Sequence, residues 1–179
     1  MAESSRENIR LRPAWDTEFE RLREIEVDAF ATLAEAGGAD DRDPHPADIE
    51  QFGRWLRDGL LLVAADADDR AIAFISASIA GDVLHVDELD VARAWQRRGI
   101  GRLLMSQILT EAERRGLNGA TLTTDRLAPF NAPFYMSIGF RILDAAELDA
   151  RLAAILRTEI AHGLDPARRI AMVMEFPKV

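Results

Sequence analysis

The residues with the plainest chemical meaning run Leu89-Asp90-Val91-Ala92-Arg93-Ala94-Trp95-Gln96-Arg97-Arg98-Gly99-Ile100-Gly101-Arg102-Leu103-Leu104. An apolar, β-branched stretch from Val83 to Val91 reads as a strand, a short polar loop follows, and Gly99 and Gly101 open an amphipathic helix. Amides at a helix N-terminus have no intrahelical partner, and glycines let an anion approach them closely. Gln96, Arg97, Arg98 and Arg102 crowd donors and positive charge around those amides, in a chain whose formal net charge is -9. The ligand that this chemistry fits is a pyrophosphate.

Two common pyrophosphate cradles do not match. A P-loop needs Lys-Ser/Thr after its glycines, and a dinucleotide fingerprint needs Gly or Ala where Leu104 stands. The string Gln96-x-x-Gly99-x-Gly101 behind Leu89-Asp90-Val91 resembles motif A of the GNAT superfamily, the acyl-CoA-dependent N-acyltransferases. One departure is Arg93, where members of that family often carry Pro. A second segment, Asn131-Ala132-Pro133-Phe134-Tyr135-Met136-Ser137-Ile138-Gly139-Phe140, resembles the GNAT signature Asn-x-x-Ala/Pro-x-x-Phe-Tyr-x-x-x-Gly-Phe in its short-spaced form. It follows the glycines by roughly thirty residues, as in that family. The resemblance covers Leu60 to Phe140, and the flanks match in secondary-structure pattern only.

The resemblance implies a GNAT fold: α/β, with a central, mostly antiparallel mixed sheet of about six or seven strands, a splayed strand pair and helices on both faces. It implies acetyl-CoA as co-substrate, its pantetheine arm lying along Leu89, Asp90 and Val91 like an added strand. The Val91 amide would then act as a one-donor oxyanion hole. The cradle would be Gln96, Arg97, Arg98, Gly99, Ile100, Gly101 and Arg102. Asn131 and Phe134 would hold the arm, although Asn131 could instead cap its own short helix. Tyr135, the chain's single tyrosine, matches the family's general acid, and a phenol of pKa about 10 suits protonation of a departing thiolate. The plainer alternative for Tyr135 is packing with its hydroxyl at the surface.

An alkyl amine, with pKa also about 10, must lose a proton before it attacks. Strict strand alternation puts His85, Asp87, Leu89 and Val91 on one face and Val86, Glu88 and Asp90 on the other, unless a bulge reverses the parity. Glu88 is the first choice of base and Asp87 the second. His85 has the better intrinsic pKa, but a single strand histidine more often serves structure.

Composition narrows the field further. A chain of 179 residues with 48% hydrophobic content fits a single domain over residues 1–179. Its acidity argues against nucleic acid or an anionic membrane as partner and favours cationic small molecules or basic peptide ends. The absence of cysteine removes disulfides, thiolate nucleophiles and Cys-ligated metal. His45 and His162 lack metal-ligand spacing, so no metal is expected. Met1 to Asn8 is polar and no apolar run approaches about 18 residues, which points to a cytoplasmic protein. Oligomeric state stays open, a homodimer being common in the family.

Elements follow from periodicity and punctuation. Strands are expected at Ile9–Arg12, Leu60–Ala65, Ala71–Ala80, Val83–Val91, Ala120–Thr124, Gly139–Leu143 and Arg169–Phe176. Helices are expected from an Asp16 cap to Ala36 with Phe19, Leu22, Ile25, Val27 and Phe30 on its apolar face, and from Pro46 to Asp58. Further helices are expected over Gly99–Arg115, Asn131–Ser137 and Ala145–Ala161. Trp15, Phe52 and Trp55 could line an acceptor pocket, although aromatics at helical spacing are usually core. Trp95 should pack the loop under the cradle. Asp40, Asp41 and Asp43 form an acidic loop that could draw a cationic acceptor.

The reaction expected is transfer of an acetyl group from acetyl-CoA to a primary amine of a small molecule or peptide, by direct attack in a ternary complex. One rival is a non-catalytic acyl-CoA sensor that keeps the cradle without turnover. A second, a nucleotide-dependent oxidoreductase, is disfavoured by the missing third glycine.

Overall fold

Runs of period two and period 3.6 alternate along the chain, and each condenses into its own element. A computed structural model describes residues 9–39 and 44–177. In chain order it has β1 (Arg10–Pro13), α1 (Phe19–Glu35), α2 (Ile49–Arg57), β2 (Leu61–Ala65), β3 (Ala71–Ala80), β4 (Val83–Val91), α3 (Ile100–Arg114), β5 (Gly119–Asp125), α4 (Ala132–Met136), β6 (Arg141–Ile142), α5 (Ala150–Ala161) and β7 (Arg169–Glu175). The seven strands form one open sheet in the order β1-β2-β3-β4-β5-β7-β6. β4 and β5 pair in parallel across the α3 crossover, whereas β1–β2, β2–β3, β5–β7 and β6–β7 are antiparallel. Among the described residues no helix is long and apolar enough to cross a membrane. The acidic residues Asp40, Asp41 and Asp43 lie outside the described residues.

The chain divides into two compact units interleaved in sequence. The first takes the described residues of Met1–Ala29, Pro46–Ser78 and Asp87–Glu111. Its core gathers Phe19, Leu22 and Ile25 of α1, Phe52 and Trp55 of α2, Leu61 and Val63 of β2, and Phe74 of β3. Phe52 is the hub: its ring lies 5.7 Å from Phe19, 5.4 Å from Trp55 and 5.6 Å from Phe74. Phe52 and Trp55 are therefore core residues, while Trp15 stays exposed under the Arg12 guanidinium, 3.6 Å from its ring centroid. Arg12 also grips both oxygens of Glu18 at 2.9 and 2.8 Å and reaches Asp69 with Nε at 3.0 Å, tying β1 to the β2–β3 turn.

The second unit takes the described residues of Phe30–His45, Ile79–Val86 and Ala112–Val179. β5 is its spine, paired with β7 from Gly119↔Glu175 to Asp125↔Arg169 and with β4 from Val83↔Gly119 to Val86↔Leu122. At Gly119 a Cβ would collide with the Met174 carbonyl oxygen, so the β5–β7 approach demands glycine there. At the far end of β5, Asp125 accepts from the amides of Leu127 (2.7 Å) and Ala128 (2.8 Å) and from Arg168 Nε (2.7 Å) and Nη2 (3.1 Å). Arg168 Nη1 also donates to the Ala36 carbonyl at 3.0 Å. Burial pushes the Asp125 carboxyl up, but the Arg168 and amide hydrogen bonds more than offset it and hold the group below the usual carboxylate range.

Several boundaries differ from the sequence reading, mostly because a capping carboxylate outranks other punctuation. α2 begins at an Asp48 cap, whose side chain accepts from Gln51 N–H, and Pro46 precedes it in extended chain. α5 begins at an Asp149 cap, and Ala145–Glu147 is a separate 3-10 turn. A 3-10 turn at Asp16–Glu18 leads into α1, with Trp15 rather than Asp16 at the cap position. On α1, Val27 is exposed, so the apolar face is narrower than expected.

Two stability predictions follow. Phe52→Ala should cost about 3–5 kcal/mol in denaturant unfolding, because its cavity opens among three aromatic neighbours. Asp125→Asn should cost about 3 kcal/mol at pH 7 by stranding Arg168. A carboxyl depressed on folding contributes stability above its unfolded pKa of about 3.9 and loses it as pH falls through the folded value, so the gap between wild type and Asp125→Asn should close in acid.

Candidate active site

β4 sets the site's frame because its pairing changes along its length. Residues Val83–Val86 pair with β5, and that register stops at Val86 although β4 continues to Val91. The Ala92 amide then bonds back to the Ile72 carbonyl at 2.9 Å, holding the strand's end against β3. The chain turns through a short 3-10 segment, Arg93–Trp95, and Trp95 packs against the core of the first unit as expected.

The loop next enters left-handed backbone at Arg97 (φ 63°) and again at Gly99 (φ 81°). Gly99 adopts this freely, whereas arginine sacrifices about 1–2 kcal/mol there, a strain typical of ligand clamps. The Gly99 carbonyl accepts the Leu103 amide at 3.2 Å, so Gly99 is the residue before the first helical turn. The amides of Ile100, Gly101 and Arg102 consequently have no intrahelical acceptor. Arg97, Arg98 and Arg102 are exposed, and Gly101 is half-buried.

Two expected phosphate-facing side chains also brace the loop itself. Gln96 Nε2 donates to the Val91 carbonyl at 3.0 Å, occupying one of that oxygen's two lone pairs. Arg98 donates to the Ala94 carbonyl at 3.0 Å and stacks 4.8 Å from the Trp95 ring centroid. Both interactions fix the turn that presents the amides.

The carboxylates of β4 separate by their partners. Asp87 accepts from the Trp55 indole Nε1 at 3.0 Å and from Ser78 Oγ at 3.3 Å, which ties it to α2 and β3. Glu88 and Leu89 are half-buried. Asp90 faces Glu26 of α1, whose charge adds to burial in raising the Asp90 carboxyl well above the usual range. Asp87 and Asp90 thus interact with residues of two helices that share one core. Glu26 was not singled out from sequence. The signal available there was a carboxylate at the flank of the α1 apolar stripe, between Ile25 and Val27.

In the second unit, α4 carries the other motif. Asn131 precedes it with an unusual backbone (φ -110°, ψ -105°) and its side chain does not cap the helix, which removes that reading of the residue. Its carbonyl accepts the Tyr135 amide at 3.0 Å. Tyr135 is buried, its ring edge-to-face with Phe134 at 5.1 Å and Phe140 at 6.0 Å, and its carbonyl accepts the Phe140 amide at 3.1 Å. The phenol is therefore held by its neighbours in the motif, and Phe134 is half-buried beside it.

His85 is also buried, with Nδ1 3.0 Å from Thr121 Oγ1, which in turn accepts from Arg151 Nη2 at 3.2 Å. Burial, reinforced by the Arg151 charge, pulls the imidazole down to about 4, so it is neutral near pH 7 and tied into the β5–α5 layer. His45 and His162 remain exposed but stack in parallel at 4.9 Å. Among the described residues no cluster of three or more His, Cys, Asp or Glu could hold a metal ion.

Known proteins share this fold. The structure superimposes on the PaiA N-acetyltransferase of Thermoplasma acidophilum, solved with coenzyme A, with TM-score 0.64 at 17% identity, covering 94% of this chain and 99% of the other. The ribosomal-protein-S18-alanine N-acetyltransferase of Escherichia coli gives TM-score 0.67 at 16% identity, with 96% of each chain covered. YncA of Salmonella typhimurium, solved with acetyl-CoA, gives 0.65 at 18% identity, again with 96% of each chain covered. At such identities these likenesses establish the fold. The acetyltransferase (GNAT) family model matches residues 19–140, which include β4, the left-handed loop, α3 and the Asn131–Phe140 motif, and the chain belongs to that family.

Proposed function

We propose that the chain is a single-domain, cytoplasmic N-acetyltransferase that moves an acetyl group from acetyl-CoA to a primary amine of a small molecule or peptide, by direct attack in a ternary complex. The observation that carries the reading is the left-handed backbone at Arg97 and Gly99 immediately before α3. It leads straight into the first helical amides beside three exposed arginines, the donor set a pyrophosphate needs. The relatives solved with coenzyme A and acetyl-CoA support the same co-substrate.

Acetyl-CoA would supply an activated acyl group. The amides of Ile100, Gly101 and Arg102 with Arg97, Arg98 and Arg102 side chains hold its pyrophosphate. Gln96 serves by locking the turn. Leu89, Asp90 and Val91 offer backbone to the arm, with the Val91 amide directed to the carbonyl oxygen that gains charge during attack. Asn131 and Phe134 contact the arm, and the Tyr135 phenol donates a proton to the departing thiolate. Glu88 meets the amine's proton first. Asp87, already holding Trp55 and Ser78, is the second choice.

Calorimetric titration with acetyl-CoA, followed by an amine panel with thiol release as readout, tests the reading. Micromolar binding with thiol release supports the transferase. Binding without release from any amine favours an acyl-CoA sensor, and no binding refutes the cradle. Tyr135→Phe should lower kcat by about 10²-fold while leaving the acetyl-CoA Kd within about twofold, as expected for a group that acts only as proton donor. Gly99→Ala should weaken acetyl-CoA binding about tenfold, since roughly 1.4 kcal/mol of strain at positive φ is enough for that change.

A further inference from the structure

Glu26 on α1 and Asp90 near the end of β4 form a pair of acids whose side chains the family motifs leave without a role. Asp90 lies one residue before Val91, and its Oδ2 is fully buried with no hydrogen-bond partner among the described residues. Burial and the Glu26 charge raise its carboxyl well above the usual range, which favours the protonated acid. The neighbouring acid is Glu26, whose two carboxylate oxygens both accept the Ala47 amide at 3.1 Å. Two residues further along α1, Asp28 accepts the Arg93 amide at 2.7 Å, which fixes this stretch of helix against the loop leaving β4. Glu26 is thereby anchored on both sides, by the segment before α2 and by the register of α1 with Arg93.

We propose that Glu26, beside Asp90, receives through water the proton that the acceptor ammonium first gives up to Glu88, and holds it through the chemical step. The inference rests on the transferase reading above. In the exchange the N–H bond of R–NH3+ breaks, its electron pair stays on nitrogen, and an O–H bond forms on Glu26. The neutral amine then attacks, and Glu26 returns the proton to solvent after turnover. Asp90 remains neutral, so that only one negative charge need be stabilised in the pair.

The electrostatics agree with the geometry. Burial raises the Glu26 carboxyl to about 7, opposed by the Ala47 amide and the charge of Arg23. The charged group acting on it is Arg23 from its own helix, and the segment before α2 brings the Ala47 amide. Such a group is a better base at neutral pH than an ordinary carboxylate, and about half of it is ionised near pH 7.

The test is the pH profile of kcat/KM with an amine substrate. Wild type should show activity rising through about pH 7 as Glu26 ionises. Glu26→Gln should lower kcat/KM at pH 8 by about 10²-fold and abolish that limb. Asp90→Asn, which mimics the protonated acid, should keep the limb where it is, and Glu88→Gln should reduce the rate without moving it. A limb that survives Glu26→Gln, or that disappears only in Glu88→Gln, overturns the proposal. Thermal stability gives a second reading independent of turnover. A carboxyl whose pKa rises on folding loses stability as pH climbs from its unfolded value to its folded one, so Glu26→Gln should raise Tm at pH 8 and change it little at pH 4. Equal Tm shifts at both pH values would overturn the assigned ionisation. Absence of thiol release by wild type with every amine would instead defeat the transferase reading, with the Tm comparison still reporting on the pair.

Discussion

An α-helix cannot satisfy its own first amides, and the region around the cradle is organised by that shortfall. The sequence meets it at α3 with neither a serine nor an aspartate cap. Gly99 occupies the cap position and offers no side-chain acceptor to the amides of the first turn. The turn ahead of them is braced at several points. The Ala92 amide is pinned to Ile72, Gln96 closes back on the Val91 carbonyl, and Arg98 lies across Trp95. Each is a modest interaction of about 1 kcal/mol. Together they sustain an arginine in left-handed backbone, a conformation it would otherwise leave.

Much of the fold was legible because the strands and helices were punctuated by residues with narrow conformational tastes. β3 and β4 have the ends read from the sequence, since Gly81-Asp82 leaves no alternative turn and the alternation on either side is long. Errors fell at helix starts. Pro46 looked like the first residue of α2, but the Asp48 side chain bonds the Gln51 amide, and a side-chain cap decides where a helix begins. The same rule moved the start of α5 from Ala145 to the residue after Asp149. Nearest-neighbour chemistry of this sort is written in the sequence, but two competing signals within four residues must be weighed by geometry.

The site was legible unevenly for a different reason. The loop from Gln96 to Arg102 is local in sequence, so its spacing alone announced an anion cradle. The arrangement of acids is not local. Nothing in the order of residues shows that Asp87 is occupied by the Trp55 indole, that Asp90 has Glu26 for a neighbour, or that the neutral His85 belongs to Thr121 and Arg151. Those facts depend on which helix lies over which end of β4. Alternation along a strand gives two faces, and it says nothing of which helix lies over each.

Asp28 joins two jobs that are usually carried by separate parts of a protein. Its carboxylate grips the Arg93 amide, in the loop leading to the cradle, while Glu26 on the same helical turn grips Ala47. Any displacement of α1 therefore pulls on the loop, and any tightening of the loop holds α1 in place. Thermodynamic reciprocity then applies: a molecule that settles the loop alters the affinity of whatever binds against α1, and is itself bound more or less tightly by the same factor. The Asp28 carboxylate is where that coupling between helix and loop is made.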